Sequence, residues 1–122
     1  MDASAILAAV RGEVGAQRVI DGVRGARISS LNHCEIVGWL AERGSTHEDI
    51  ENVLGPFDLV VEVFDLARAT AAELLTAKTK RRNISLADRA CLALAMELGM
   101  PVMTGDRAWR DLDIDVEVQL FR

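Results

Sequence analysis

The strongest constraint on this chain is the alternation of short strand-type segments with longer helical ones. The strand-type segments are brief and mostly apolar, at residues 27–30, 59–64, 102–104 and 116–120. Between them, apolar residues recur at helical spacing, and Gly12, Gly44 and Gly99 follow three of these helical segments as natural stops. The sequence also predicts a capping box at residues 45–48 and a helix cap at Asp65. Trp109 is predicted to pack a loop onto the core, with base stacking as the alternative. Strands separated by helices predict an α/β fold with a parallel sheet and helices on both faces.

Four acids lie beside the predicted strand ends or open a helix: Asp2, Glu35, Asp88 and Asp106. Ligands of parallel sheets bind beyond the carboxyl ends of the strands, so we expect all four carboxylates at that edge. Two such charges repel by about 4 kcal/mol at 4 Å with an effective dielectric constant near 20. A fold keeps such a group mainly when a divalent cation neutralises it, which indicates metal-dependent phosphodiester chemistry.

Each acid also has a simpler explanation as part of a helix cap. The four caps would be Asp2 before the first helix, Glu35 paired with Asn32, Asp88 paired with Ser85, and Asp106 before a short helix at 107–109. Taken singly, each cap is reasonable. The coincidence of all four at one edge is what favours a functional site.

The positive charge is unevenly distributed in a chain whose net charge is −5. Four cations fall within five residues, namely Lys78, Lys80, Arg81 and Arg82. A solvated helix end explains this cluster by itself. Because Asp88 follows within a few residues, the cluster also suits a basic rim that holds a phosphate backbone beside the acids.

Other features exclude several classes of protein. No apolar run approaches the ~20 residues that span a bilayer, and Met1-Asp2 does not resemble a signal peptide, so we predict no membrane partner and a cytoplasmic location. Cys34 and Cys91 form no Cys-x-x-Cys motif and are predicted to be reduced core thiols, which argues against zinc.

The chain reads as one domain over residues 1–122, since repeats and linker-like segments are missing from its sequence. The sequence leaves no room for the first strand of the expected sheet. A strand should precede Asp2, yet only Met1 does, so the first strand is apparently truncated. The strand could be supplied by residues outside this sequence, the start could be misassigned, or the fold could tolerate a stub.

Three stretches together resemble a known family. They are Asp-Ala-Ser-Ala-Ile-Leu at 2–7, Ser-Leu-Ala-Asp-Arg-Ala-Cys-Leu-Ala-Leu-Ala at 85–95, and Thr-Gly-Asp-Arg-Ala-Trp at 104–109. With Asn32-x-x-Glu35 and a closing strand at 116–118, the chain resembles a PIN-domain ribonuclease. More narrowly, it is similar to the VapC-type toxins of bacterial toxin–antitoxin pairs.

The resemblance implies a three-layer α/β/α sandwich around a central, mainly parallel sheet. It also implies Mg²⁺ or Mn²⁺, an RNA substrate, a cognate antitoxin protein and a homodimer. Carried over by position, Asp2 and Asp88 are the principal metal ligands, Asp106 completes the site directly or through water, and Glu35 is a ligand or positions water. Hydrogen bonds that orient these carboxylates would come from Ser4, Asn32 and Thr104. Candidates for phosphate contact are Arg81, Arg82, Arg89 and Arg107, for each of which a surface salt bridge is about equally good an explanation.

Three other functions stay open at this point. A phosphoryl-accepting receiver domain fits poorly, because no lysine follows Lys80 and Asp58 precedes its strand instead of following it. A housekeeping RNA-processing nuclease of the PIN type is the main alternative, and a neighbouring antitoxin gene would discriminate it from a toxin. A PIN-like binding module with a weakened metal site is disfavoured by the presence of all four acids.

Overall fold

The computed structural model describes residues 1–79 and 83–122. The α-helices are α1 (Ala3–Arg11), α2 (Ala16–Val23), α3 (Ser30–Ala41), α4 (His47–Leu54), α5 (Leu66–Leu74), α6 (Thr76–Thr79) and α7 (Leu86–Leu98). The strands are β1 (Arg27–Ser29), β2 (Val60–Glu62), β3 (Val102–Thr104) and β4 (Val118–Leu120). Short 3₁₀ helices cover Gly55–Phe57 and Arg107–Asp111. The predicted alternation of strands and helices is confirmed, with β1, β2 and β4 shorter than their predicted segments and β3 matching its segment.

Local side-chain caps explain where several helices begin. Asp65 accepts a hydrogen bond from the backbone of Arg68 and caps α5, as predicted. A capping box starting at Ser45 is wrong by one residue for α4, because Thr46 and Asp49 form both hydrogen bonds of the box instead.

The strands form two parallel pairs. β1 pairs with β2, where Ile28 lies opposite Val61, and β3 pairs with β4, where Met103 lies opposite Gln119. The parallel direction is confirmed, but in the described residues the two pairs do not join into one continuous sheet.

Met1 and Asp2 lie between the two strand pairs. The amino group of Met1 donates to the carbonyl of Arg27 in β1 at 2.8 Å, and the N–H of Asp2 donates to the carbonyl of Met103 in β3 at 3.0 Å. These two residues stand where the sequence predicts a strand before Asp2. Their hydrogen bonds fix Asp2 beside the carboxyl end of β3.

Two apolar clusters hold the helices on the strands. The first includes Ile6, Val19, Ile28 and Ile36 from α1, α2, β1 and α3, all fully buried. The second surrounds α7 and β3, and Trp109 is only 1% exposed within it, which confirms its predicted packing role. Each fully buried large aliphatic side chain stabilises the fold by about 1.5–3 kcal/mol.

Helix α7 carries Asp88 in its first turn and contacts α3, β1 and β3, so packing of its apolar face brings that turn to the rim where Asp2 lies. The prediction for the cysteines is confirmed for Cys91, which is a buried free thiol. It is wrong for Cys34, which is free but exposed on α3. None of the helices in the described parts of the chain is long and apolar enough to cross a membrane.

Candidate active site

Asp2 lies at the N-cap position of α1, but its side chain does not cap the helix. The carboxylate is 4% exposed and accepts hydrogen bonds from Ser4 Oγ at 2.5 Å, Thr104 Oγ1 at 2.8 Å and Asn32 Nδ2 at 3.4 Å. The simpler explanation of Asp2 as an ordinary cap is therefore wrong. Its three donors are the three residues that the resemblance implies as hydrogen-bond donors to the carboxylates.

The surroundings of Asp2 raise the pKa of its carboxyl group. Burial is the main cause, because it removes water from the charged form. Hydrogen bonds from Ser4 and Thr104 lower the pKa and offset part of that effect, while the negative charge of Asp88 raises it further. Asp2 is a buried anion with donors around it and another anion nearby, which is the situation that a cation relieves.

Glu35 joins Asp2 through Asn32. The cap of α3 is Ser29, whose Oγ accepts from the N–H of Leu31, so the predicted capping pair of Asn32 and Glu35 is wrong. Asn32 is fully buried instead, and its Nδ2 lies 3.4 Å from both Asp2 Oδ1 and Glu35 Oε2. Partial desolvation raises the pKa of Glu35, and the charges of Asp2 and Asp88 raise it further.

Asp88 serves as a cap and also belongs to the cluster. Its Oδ2 accepts from the N–H of Ser85 at 2.8 Å, and Ser85 Oγ accepts from the N–H of Asp88 at 3.1 Å, which confirms the capping box. The cap is not its whole role, because its charge raises the pKa values of both Asp2 and Glu35. We call these three mutually repelling carboxylates, Asp2, Glu35 and Asp88, the acidic cluster.

Asp106 reaches the acidic cluster through its backbone. Its N–H donates to Thr104 Oγ1 at 3.1 Å, and the same hydroxyl donates to Asp2. Its carboxylate accepts from the N–H of Ala108 at 2.8 Å and caps the 3₁₀ helix, as the simpler explanation predicts. The structure thus brings Asp2, Glu35 and Asp88 into electrostatic contact and holds Asp106 beside them with its carboxylate in a local cap.

Gly105 contributes a contact that the sequence reasoning missed. Its N–H donates to Ser4 Oγ at 3.0 Å, so the backbone orients the hydroxyl that binds Asp2. A Cβ at this position would lie 2.9 Å from Cζ of Phe121, so only glycine fits without movement of the ring. Nothing near Gly105 in the sequence indicates this, since Phe121 follows the final strand, which pairs with β3 only in the folded chain.

The predicted phosphate-contacting cations have separate outcomes. Arg81 and Arg82, with Lys80, lie outside the described residues. Arg89 donates to Glu73 at 2.6 Å and to the carbonyl of Ile84 at 3.0 Å, so its guanidinium already serves the fold. Arg107 is exposed on the 3₁₀ helix directly after Asp106.

The donor atoms of the site fit a divalent cation by their chemistry. Within residues 1–79 and 83–122, no three His, Cys, Asp or Glu side chains are already grouped as a metal-binding set. However, the acidic cluster offers only carboxylate oxygens, which suit hard cations such as Mg²⁺ and Mn²⁺. Asn32 Oδ1 is also buried without a hydrogen-bond partner among the described residues, so the site contains an unsatisfied oxygen. These residues fit such an ion.

Paired parallel strands, helices packed on them and carboxylates gathered at one rim define an α/β domain with an acidic site. A comparison with protein families matches the PIN domain over residues 1–115. The chain therefore belongs to the PIN domain family, whose members are generally nucleases and usually use divalent metal ions. A search of the curated proteins found no match.

Proposed function

We propose that this protein is a Mg²⁺- or Mn²⁺-dependent ribonuclease that hydrolyses phosphodiester bonds at the acidic cluster. One observation carries the proposal: a buried Asp2 whose pKa, like that of Glu35, is raised partly by neighbouring carboxylates. Mutual repulsion of carboxylates does not stabilise a fold, so stability does not explain why these residues lie together. Binding of a cation and a phosphate group at the cluster would explain it.

In this proposal, Asp2, Asp88 and Glu35 hold the cation, and Asp106 assists directly or through water. When bound, a divalent cation neutralises charge on the phosphate and activates water for attack. The hydrolysis leaves a 5′ phosphate and a 3′ hydroxyl, and it needs no 2′-hydroxyl nucleophile.

The protein's own side chains position this chemistry. Thr104, fully buried, holds Asp2 with its hydroxyl proton and accepts the N–H of Asp106, so it ties two acids from distant parts of the chain together. Asn32 links Asp2 to Glu35. Because Glu35 is on the exposed side of this network, we assign it the role nearest to the attacking water.

The biological setting we propose is the toxin of a toxin–antitoxin pair, with a cognate antitoxin that blocks the site and a homodimeric protein. The support is the resemblance of residues 2–7, 85–95 and 104–109 to VapC-type toxins. Induced expression in a bacterium should then arrest growth, and the Asp88→Asn variant should not. Normal growth with active enzyme would instead favour the housekeeping nuclease.

The direct test is incubation of the purified protein with total RNA and with single-stranded DNA, with Mg²⁺, with Mn²⁺ and with a chelator. We expect RNA cleavage that requires a divalent cation and produces 5′-phosphate ends. Cleavage that persists in chelator, or ends with a 2′,3′-cyclic phosphate, would overturn the mechanism. Absence of cleavage under every condition would overturn the proposed function.

A further inference from the structure

A cleft of about 370 Å³ is lined largely by arginines. Its lining residues are Arg18, Arg107, Arg110, Leu120, Phe121 and Arg122. We call this feature the arginine cleft. Its cations come from α2, from the 3₁₀ helix after β3 and from the chain end, so only the folded protein brings them together.

Three of these four cations have no counter-charge among the residues that the structure describes. Arg122 is held by an ion pair with Glu13 at 2.6 Å and stacks on the ring of Phe121 at 5.1 Å. Arg18, Arg107 and Arg110 form no ion pair or side-chain hydrogen bond with any residue in the described parts of the chain. In a protein with 19 acidic and 14 basic side chains, acidic partners are abundant, so unpaired arginines gathered in one cleft indicate an external anion.

The arginine cleft adjoins the acidic cluster across a single residue. The N–H of Gly105 donates to Ser4, which binds Asp2, whereas a Cβ on Gly105 would lie 3.3 Å from Nε of Arg122. Arg107 also directly follows Asp106. The arginine cleft is therefore connected to the acidic cluster through Gly105 and Ser4.

We propose that the arginine cleft binds a backbone phosphate of single-stranded RNA next to the phosphate that is cleaved. This inference rests on the proposed function and adds to it a second contact site. Carboxylates repel a phosphodiester chain, so its binding needs cations close by, and guanidinium groups match phosphate oxygens with paired N–H donors. A polymer with regularly repeated anions can occupy both places at once, which favours RNA over an acidic peptide.

The test measures binding in an inactive background. In the Asp88→Asn protein, Arg18→Gln with Arg110→Gln should weaken binding of a fluorescein-labelled single-stranded RNA about tenfold, and should flatten the slope of log affinity against log salt by about 0.7–1.4, as expected for one or two lost phosphate contacts. The matched control is Arg24→Gln with Arg43→Gln, which removes the same charge from residues that do not line the cleft. Melting curves check that both variants fold.

Equal changes in the cleft variant and the control would overturn the cleft, because they would reflect net charge alone. Neutral methylphosphonate substitutions, placed one at a time in the RNA, should find a phosphate beside the cleavage position whose loss weakens binding only while the cleft arginines are present. Failure to find such a phosphate would also overturn the inference. A third result would overturn it too: binding of a glutamate-rich peptide that the cleft variant weakens, together with RNA binding that the cleft variant leaves unchanged. That result would assign the cleft to a protein partner.

Failure of the inference and failure of the proposed function give different results. Divalent-dependent RNA cleavage by the wild-type protein, with unchanged RNA binding in the cleft variant, overturns the arginine cleft alone. Loss of RNA binding in the cleft variant, with no cleavage by the wild-type protein, overturns the nuclease and supports the cleft as an RNA-binding surface.

Discussion

In the acidic cluster, carboxylates face other carboxylates, whereas around Arg68 on the surface each carboxylate faces an arginine. Arg68 donates to Glu97 at 2.8 Å and to Glu62 at 3.1 Å, and Arg27 also pairs with Glu62. We call these four residues the Arg68 network. The same chemical groups thus occur in opposite electrostatic settings in one small domain.

The pKa directions follow from this difference. Glu62 and Glu97 have lowered pKa values, mainly because arginines donate to them. Asp2 and Glu35 have raised pKa values, mainly because of desolvation and then because of neighbouring anions. The Arg68 network ties α5 to β2 and α7 and serves the fold, while the mutual repulsion of the carboxylates in the acidic cluster opposes folding.

The largest expected effect is on catalysis. Asp88→Asn should reduce divalent-dependent RNA cleavage by more than about 100-fold, the upper range for loss of residues that only support metal ligands. The amide oxygen can still accept from Ser85, so α7 keeps its cap. Asp65→Asn is the matched control, because it makes the same change at the cap of α5. Comparable rates for the wild-type and Asp88→Asn proteins would remove Asp88 from the site.

A smaller effect is expected at the hydroxyl that links two acids. Thr104→Val keeps the shape of this buried side chain but removes its hydrogen bonds to Asp2 and Asp106, so cleavage should fall about 10-fold or more. Thr104→Ser should restore most of the rate because the hydroxyl returns. If valine and serine behave alike in steady-state kinetics, the hydroxyl has no positioning role.

One substitution should have opposite effects on stability in the two regions. In metal-free protein, Glu35→Gln removes a repelled charge and should raise the melting temperature by about 2–4 °C, while Glu62→Gln weakens two arginine contacts and should lower it by a similar amount. Scanning calorimetry in chelator checks both signs. A loss of stability in both variants would contradict the assignment of Glu35 to a repulsive cluster.

The effect of pH on stability should be smaller still, and it should again have opposite signs in the acidic cluster and in the Arg68 network. Groups with raised folded pKa values, such as Asp2 and Glu35, take up protons more readily when folded, so metal-free protein should gain stability as the pH falls from 7 towards the ordinary carboxyl range of about 4. Glu62 and Glu97 act in the opposite sense, but only at and below that range. The gain should shrink in Glu35→Gln, and a stability profile identical to the wild type would count against the coupling.

Much of the fold could be predicted because its signals are local. The Ser85–Asp88 box, the cap at Asp65 and the strand at 102–104 depend on neighbouring residues, and the structure confirms them. The start of α3 could not be predicted from neighbouring residues in the sequence. β1 leads directly into α3 without a loop, so Ser29 at the strand end becomes the cap and Asn32 moves inside.

The candidate site, like the fold, could be predicted only in part. Carboxylates at strand ends are visible in the sequence, and their convergence follows from the rule that parallel strands end at one edge. The arginine cleft is not visible, because Arg18 lies almost ninety residues before Arg107 and no short motif contains both. The requirement for glycine at position 105 is also not visible in the sequence, because it comes from the ring of Phe121, which packs against that position.

Isothermal titration of the metal-free protein with Mg²⁺ and with Mn²⁺ tests the central claim most directly. We predict saturable uptake by the wild-type protein and strongly weakened uptake by Asp88→Asn. Metal binding should release more protons as the pH is lowered towards the raised pKa values of Asp2 and Glu35. Uptake that is unaffected by Asp88→Asn, or no uptake of either ion, would contradict the central claim.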